Sequence, residues 1–535
     1  MNAADSQNSL LNIKEASLWA SSFLGKNVTA SNIAYLIQYG RVRKIVENGA
    51  TLIALDELKS YYNSYKNSRE NFFKDKLGGD LNWILSFEQY KEAETTKHIH
   101  RLHPYKGKFI PQLAEYFLCD RTDNLKREIY FKKGDIVLDP FCGSGTTLAQ
   151  ANELYIHAIG VDISEFNALI SNCKIAKYDI ALLQSKITKI TKDLEVFVRD
   201  SNATQFEAKL AEELKSFNDK YFPAQEYKYL VRTGEIDEIK YGAEKEKEFL
   251  PIYENLTRKY NIKLRQEKSE TFLDKWYSKH IRDEIDFVNA KIQEIDDGNT
   301  RNIISVILSR AIRSCRATTH ADLATLIEPA TTTYYCAKHG KICKPIFSIV
   351  KWWKTYCKDT ILRLAEFDKL RTDTYQICFA GDSKNIDIFN CVKTQNKEFY
   401  ELLQKQKIKG IFSSPPYVGL IDYHEQHAYA YDLFAFERKD ALEIGSLSNG
   451  QTREARQNYV EGVAAVLNNC KRFLADNYDV FLVANDKHNI YPAIAEKANM
   501  EIANRFNRPV LNRSEKDKTA YSETIFHLKE KYGAD

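Results

Sequence analysis

Short apolar runs, each ending in an acid, a proline or a polar pair, recur in two stretches of this chain and read as buried strands. In the first stretch, "DIVLDPF" carries a run over Ile136–Leu138 that stops at Asp139-Pro140, and "AIGVDIS" carries another that stops at Asp162. In the second, "TYQICFAGDSKN", "IKGIFSSPPY", "NYDVFLVAND" and "YSETIFHLKEK" hold one run each. Between the two lie charged residues with helical spacing, as in "SKHIRDEIDFVNAKIQEIDD". The pattern predicts an α/β fold with a doubly wound sheet, interrupted by a mainly helical insertion of about 200 residues and then completed. At the N-terminus, Ile13, Ala16 and Ala20 recur at helical spacing. "GKN" breaks that run, and Thr29 or Ser31 caps a second helix carrying Ile33, Leu36 and Ile37. "GRVRKIVENGATLIALDELKSY" then reads as a two-stranded hairpin turning at Asn-Gly, followed by a third helix. The boundaries that follow are 1–66 for this module, 67–100 for a polar linker, 101–180 and 373–535 for the two halves of the sheet, and 181–372 for the insertion.

Composition narrows the class. A chain of 535 residues with 44% hydrophobic positions supplies cores for two to four domains. No apolar run approaches the roughly 18 to 20 residues that span a bilayer. The start, "MNAADSQNSLLNIKEAS", lacks the layout of a signal peptide, so a soluble, cytoplasmic protein without a membrane partner is expected. Ten scattered cysteines read as reduced thiols. The net charge of +4 says little about partners, but residues 301–371 hold thirteen Lys and Arg against five Asp and Glu.

The chemistry concentrates at the strand ends. In "VLDPFCGSGTT", Gly143 and Gly145 let the backbone pass close to a ligand, and the helix that follows offers its N-terminal amides. Thr146 and Thr147 stand where a phosphate loop requires lysine, and the three glycines of a dinucleotide fingerprint are absent. Asp162 closes the next strand, where a ribose-binding acid belongs. Together these residues resemble the S-adenosylmethionine-dependent methyltransferases, and specifically those that methylate amino groups of DNA bases. The resemblance implies a Rossmann-like methyltransferase sheet. It also implies a cofactor set of Asp139 near the methionine end, Pro140, Phe141, Gly143, Ser144, Gly145 and Thr146 in the loop, and Asp162 with Ile163 at the ribose. In "FAGDSKN", Asp382 with Ser383 corresponds to the acid beside the adenine amine. In "HPYKGKFIPQL", Lys108 and Phe109, with His103 as a weaker candidate, correspond to the segment that closes over the methionine carboxylate.

"SSPPY" then acquires a task. Two prolines fix the backbone rigidly after a strand. Ser414 oxygen and the Pro415 carbonyl, held by Pro416, are placed to accept the hydrogens of a base amine, and Tyr417 to stack on a base rotated out of the duplex. In the family resembled, Ser-Pro-Pro-Tyr is typical of N4-cytosine enzymes and Asp-Pro-Pro-Tyr of N6-adenine enzymes, so cytosine is expected, with N6-adenine and an RNA base as alternatives. No cysteine follows a proline, which excludes the 5-methylcytosine class. Aromatics in "DYHEQHAYAYDLF", Tyr423 among them, are candidate pocket walls or core.

The expected partners are double-stranded DNA and a cognate restriction endonuclease. The N-terminal module resembles the winged helix-turn-helix of excisionase-like and MerR-like proteins. In the insertion, Arg310, Arg313 and Arg316 share one side of a helix and stand near Tyr334, Tyr335, Trp352, Trp353 and Tyr356, a candidate DNA face. Cys336, His339 and Cys343 form C-x2-H-x3-C, with Cys315 or Cys357 as a fourth ligand. One close pair falls short of the two knuckles of zinc modules, so no metal site is assigned.

Overall fold

The computed structural model describes residues 9–25, 27–66, 76–78, 80–199, 201–223, 225–268, 270–320, 326, 328–345, 348–511 and 521–531. The N-terminal module consists of β1 (Leu10–Asn12), helices Ile13–Leu24 and Ala30–Gln38, the hairpin β2 (Ile45–Glu47) and β3 (Ala50–Ala54), and helix Leu55–Lys66. Asn12 caps the first helix in a capping box with Glu15, and Thr29 caps the second with Asn32. The sequence pattern did not predict β1, which pairs antiparallel with β3 and widens the hairpin to three strands. Ala16, Ala20, Ile33, Leu36 and Ile37 meet Ile53 and Leu58 in a small core.

The main sheet is built from β4 (Ile136–Asp139), β5 (His157–Asp162), β8 (Gln376–Ala380), β9 (Ile408–Ser413), β10 (Leu474–Ala484), β11 (Met500–Val510) and β12 (Tyr521–Glu530). The intervening β6 (Tyr334–Cys336) and β7 (Lys341–Cys343) form a separate hairpin in the insertion. The sheet order is β11-β12-β10-β9-β4-β5-β8. β8, β5, β4, β9 and β10 run parallel, while β12 is antiparallel to both of its neighbours. The chain starts in the middle at β4, moves to one edge through β5 and β8, and returns to β9 on the other side. The switch point lies between β4 and β9, and in such sheets the crevice at the carboxyl ends there receives the ligand.

Both faces of the sheet are covered, which is why its strands read as continuous apolar runs. Val137, Phe412 and Phe481 pack with Leu113, Phe117 and Leu148 on one face. Ile136, Leu138, Ile411 and Val480 pack with Val463, Leu467 and Ile494 on the other. Strands from both stretches thus join in one seven-stranded α/β sheet, mostly parallel and doubly wound.

Part of the expected linker lies outside the described residues, at 67–75 and 79. Its described remainder is packed: Leu85 and Phe87 are buried with Leu113 and Phe117, and Asn82 N–H donates to the Asn507 carbonyl at 2.7 Å. Among the described residues the insertion has two large cores. Helices Ile180–Arg199, Lys279–Gln293, Gly298–Ser314 and Val350–Asp368 share one with Phe166, Ile170 and Tyr429 beside the sheet. Helices Asn202–Tyr221 and Glu238–Lys259 form the outer one around Phe206, Phe249 and Ile342. The outer part meets the N-terminal module, where Arg232 donates to the Tyr39 carbonyl at 3.3 Å.

The expected DNA face of the insertion is largely interior. Arg310 is 5% exposed and paired with Asp359 at 2.7 Å. Arg316 is buried with its guanidinium over the Tyr429 ring. Trp353 is fully buried and donates to Thr191. Among the described residues no helix is long and apolar enough to cross a membrane.

Candidate active site

Parallel strands carry their carboxyl ends to one edge, so residues far apart in sequence meet there. A cavity lies over the ends of β4, β5, β8 and β9. Of the expected residues, Lys108, Phe109, Pro140, Phe141, Gly143, Ser144, Thr146, Asp162, Ile163, Asp382, Ser383, Ser414 and Pro416 line it. Asp139, Gly145, Pro415 and Tyr417 do not, and neither does His103.

The loop after β4 forms the cavity floor. Gly143 has φ +52°, and a Cβ there would stand 3.0 Å from the Tyr105 hydroxyl, so a side chain would both strain the loop and press on the cavity wall. Asp162 holds this loop: its Oδ2 accepts the Gly143 N–H at 2.7 Å, and its Oδ1 accepts the Ser164 N–H at 2.9 Å and Asn167 Nδ2 at 3.0 Å. The acid expected at the ribose therefore also shapes the loop. Asp139 stands behind the wall at 2% exposure and accepts the Ser413 hydroxyl. Burial pushes both carboxyls up to about 6, against the pull of these hydrogen bonds.

Ser383 ties the end of β8 to the loop by donating to the Pro140 carbonyl at 2.7 Å. Asp382 accepts the Lys384 N–H at 3.0 Å. On the far wall, Lys108 donates to the His100 carbonyl, and burial, with Arg101 and Arg363 nearby, lowers it to about 8. Phe109 packs edge-on against Phe412 at 5.3 Å. His103 is fully buried between Phe166, His427 and Tyr429, where it supports the core instead of the cavity.

At the end of β9, the Ser414 hydroxyl donates to the Val483 carbonyl at 3.0 Å. That bond uses its hydrogen and leaves the oxygen as an acceptor. Pro415 is buried. Tyr417 lines a separate hollow with Asp486, His488 and Tyr491. Its hydroxyl donates to Glu523 at 2.8 Å.

Several wall residues escaped the sequence reading. Tyr105 stacks at 5.6 Å on Tyr423, which the sequence offers as a wall or core residue, and Tyr105, Asn167 and Glu443 line the cavity beside it. Glu443 accepts the Tyr423 N–H at 2.8 Å and lies 3.3 Å from His424. Tyr105 sits inside the quoted "HPYKGKF", whereas Glu443 belongs to an irregular segment with no motif.

The lining suits a polar, cationic ligand. Asp162, Asp382 and Glu443 outnumber Lys108, and the Ser144 hydroxyl and Asn167 Oδ1 are buried without a partner. A molecule with a sulfonium, a ribose and an amino-acid tail would meet carboxylates, open acceptors and a lysine here.

A family model described as DNA methylase matches residues 25–172. The chain is 44% identical over 525 residues to the Type II methyltransferase M.MjaII of Methanocaldococcus jannaschii, covering 97% of each protein. It is 31% identical over 136 residues to the Type II methyltransferase M.MvaI of Kocuria varians, covering 25% of this chain and 28% of that protein. Among solved structures, the rRNA methyltransferase aviRa from Streptomyces viridochromogenes matches with a TM-score of 0.29 and 9% identity, over 83% of this chain and 95% of that one.

Proposed function

This chain belongs to the N6/N4 family of DNA methylases, and on that premise we propose that it methylates the N4 amine of cytosine in duplex DNA as the modification half of a restriction-modification pair. The methyl donor is S-adenosylmethionine, which supplies an electrophilic methyl group on a sulfonium. Asp162, Asp382, Lys108 and the loop from Pro140 to Thr146, all on the cavity wall, would hold it. A base amine is a poor nucleophile because its lone pair is delocalised into the ring, so the protein's task is to aim that lone pair in line with the methyl carbon. The target base leaves the helical stack to reach the site.

The observation that carries the cytosine reading is the Ser414 hydroxyl, committed to Val483 and so an acceptor on the cavity wall. It would accept a hydrogen bond from one amine hydrogen, and the Pro415 carbonyl, directed by two prolines, would accept one from the other. A neutral hydroxyl with a carbonyl steadies the charge developing on nitrogen without placing a carboxylate there. Tyr417 stacks on the extruded base from its hollow. The N-terminal module, docked on the outer insertion through Arg232, contributes DNA contacts as a winged helix-turn-helix.

Mass analysis of nucleosides from plasmid DNA methylated by the enzyme tests the reading. N4-methylcytosine is expected, and N6-methyladenine without N4-methylcytosine would overturn the base assignment.

A further inference from the structure

Away from the cavity, the insertion gathers two thiols and two imidazoles. The ligand atoms of His320, Cys336, His339 and Cys343 all lie within 4.8 Å of one another. Cys336 Sγ is 3.7 Å from His320 Nδ1 and 3.6 Å from His339 Nδ1, which is 3.4 Å from Cys343 Sγ. Zinc–sulfur and zinc–nitrogen bonds of about 2.3 and 2.0 Å in a tetrahedron put a sulfur and a nitrogen about 3.5 Å apart. The three sulfur–nitrogen separations thus already match the edges of a zinc tetrahedron.

We propose that His320, Cys336, His339 and Cys343 form a structural zinc site that ties the inner and outer parts of the insertion together. Cys336 and Cys343 sit on the antiparallel hairpin of β6 and β7. The turn between them brings His339 back beside Cys336: the His339 and Gly340 N–H groups both donate to the Cys336 carbonyl, and Gly340 takes φ +61°. The sequence spacing pointed to Cys315 or Cys357 as fourth ligand, but both pack in the inner helical core. His320 takes that place from a loop that follows helix Gly298–Ser314. The Tyr334 hydroxyl accepts the His320 backbone N–H at 3.0 Å and lies 2.7 Å from the ring Nδ1, the nitrogen that faces Cys336, so zinc would displace that ring contact and leave the backbone bond to hold the loop.

The apolar surroundings are small. Tyr334, Cys336 and Cys343 make a buried cluster of three, and strands of three residues are marginal without further support. The hairpin is fastened to the outer helices, where Asn218 exchanges hydrogen bonds of 3.0 Å with the Ile342 backbone. His320 descends from the inner helix layer, so an ion here bridges the two cores. Four protein donors leave no open position, which makes the site structural and not catalytic.

Native mass spectrometry of the full-length protein, purified without chelator, reads the metal directly. One zinc per chain is expected. With cobalt as the probe, a thiolate-to-cobalt charge-transfer band and intense tetrahedral d–d bands are expected, and His320→Ala should weaken cobalt binding without abolishing it. Cys336→Ser should lose stoichiometric metal yet still bind S-adenosylmethionine, which shows that it folds. A wild-type chain that carries no zinc and takes up neither zinc nor cobalt overturns the site, as does a Cys336–Cys343 disulfide in the native protein. Unchanged cobalt spectra and affinity in His320→Ala overturn the fourth ligand.

Discussion

Ser413 Oγ donates a 2.5 Å hydrogen bond to Asp139 Oδ1, joining the last residues of two neighbouring parallel strands, β9 and β4, across the switch point of the sheet. Thr147 reinforces the junction by donating to the Phe412 carbonyl at 3.2 Å. The Pro140–Thr146 loop and the Ser414–Tyr417 loop, proposed to hold the cofactor and the target amine, therefore start from one rigid unit. Removing the hydroxyl in Ser413→Ala leaves a buried carboxyl short of a donor, at a cost of about 1–3 kcal/mol. Denaturant unfolding of the variant should show that loss with an unchanged slope, and an unchanged midpoint would refute the role given to this bond.

The same two carboxyls set a pH dependence. Asp139 and Asp162 stand at about 6 in the folded chain, above the usual carboxylate value of about 4. Between those values the folded protein without cofactor holds more protons than the unfolded one. Stability thus rises as pH falls through the window, and the destabilisation from the two charges is complete above about 6. Cofactor binding is expected to run the other way, because a sulfonium and a ribose in the cavity would favour an ionised Asp162 on its wall, and the positive charge would favour ionised Asp139 behind it. Affinity for S-adenosylmethionine should fall below about pH 6, approaching ~tenfold per pH unit for each group that must ionise. Calorimetric titration across this range checks it, and a flat profile would remove these acids from the cofactor's electrostatics.

Gly143 offers a steric test of the cavity. In Gly143→Val the added atoms meet Tyr105 from a backbone at φ +52°, where a β-branched residue is strained by about 1–3 kcal/mol. Cofactor affinity should drop at least about tenfold, the equivalent of 1.4 kcal/mol. Full affinity in a folded Gly143→Val protein, by equilibrium dialysis, would place the cofactor elsewhere.

What could be read from sequence follows from where the information lies. Asp139, Asp162, Asp382 and Ser414 sit at or just past the ends of parallel strands, and a short apolar run that stops at a polar residue marks such an end locally. Topology then brings them together. Tyr105, Asn167 and Glu443 reach the cavity from a loop, a helix and an irregular segment, whose directions depend on long-range packing. His320 lies sixteen positions before Cys336, across a loop that no local spacing rule spans. The third-residue spacing of Arg310, Arg313 and Arg316 is the same for a solvated face and for a helix buried among acids and aromatics.

Arg310 makes that last distinction testable. Its guanidinium is 2.7 Å from Asp359 and 3.2 Å from Thr360 Oγ1, and it lies over the Tyr356 ring at 4.3 Å. Asp359 is shared with Arg363, whose Nε reaches both carboxylate oxygens at 2.8 Å. A buried pair replaced by an apolar side chain of similar volume often costs little, whereas stripping one partner leaves an uncompensated charge and costs about 3–5 kcal/mol. Asp359→Ala should therefore lower stability far more than Arg310→Met. Neither should change the slope of log affinity for DNA against log salt, because Arg310 faces Asp359 and not a phosphate. A phosphate-contacting arginine would reduce that slope by about 1 when removed. Salt titrations of DNA binding for wild type and Arg310→Met decide between the two, and a slope lowered by one unit would return this helix to the DNA interface.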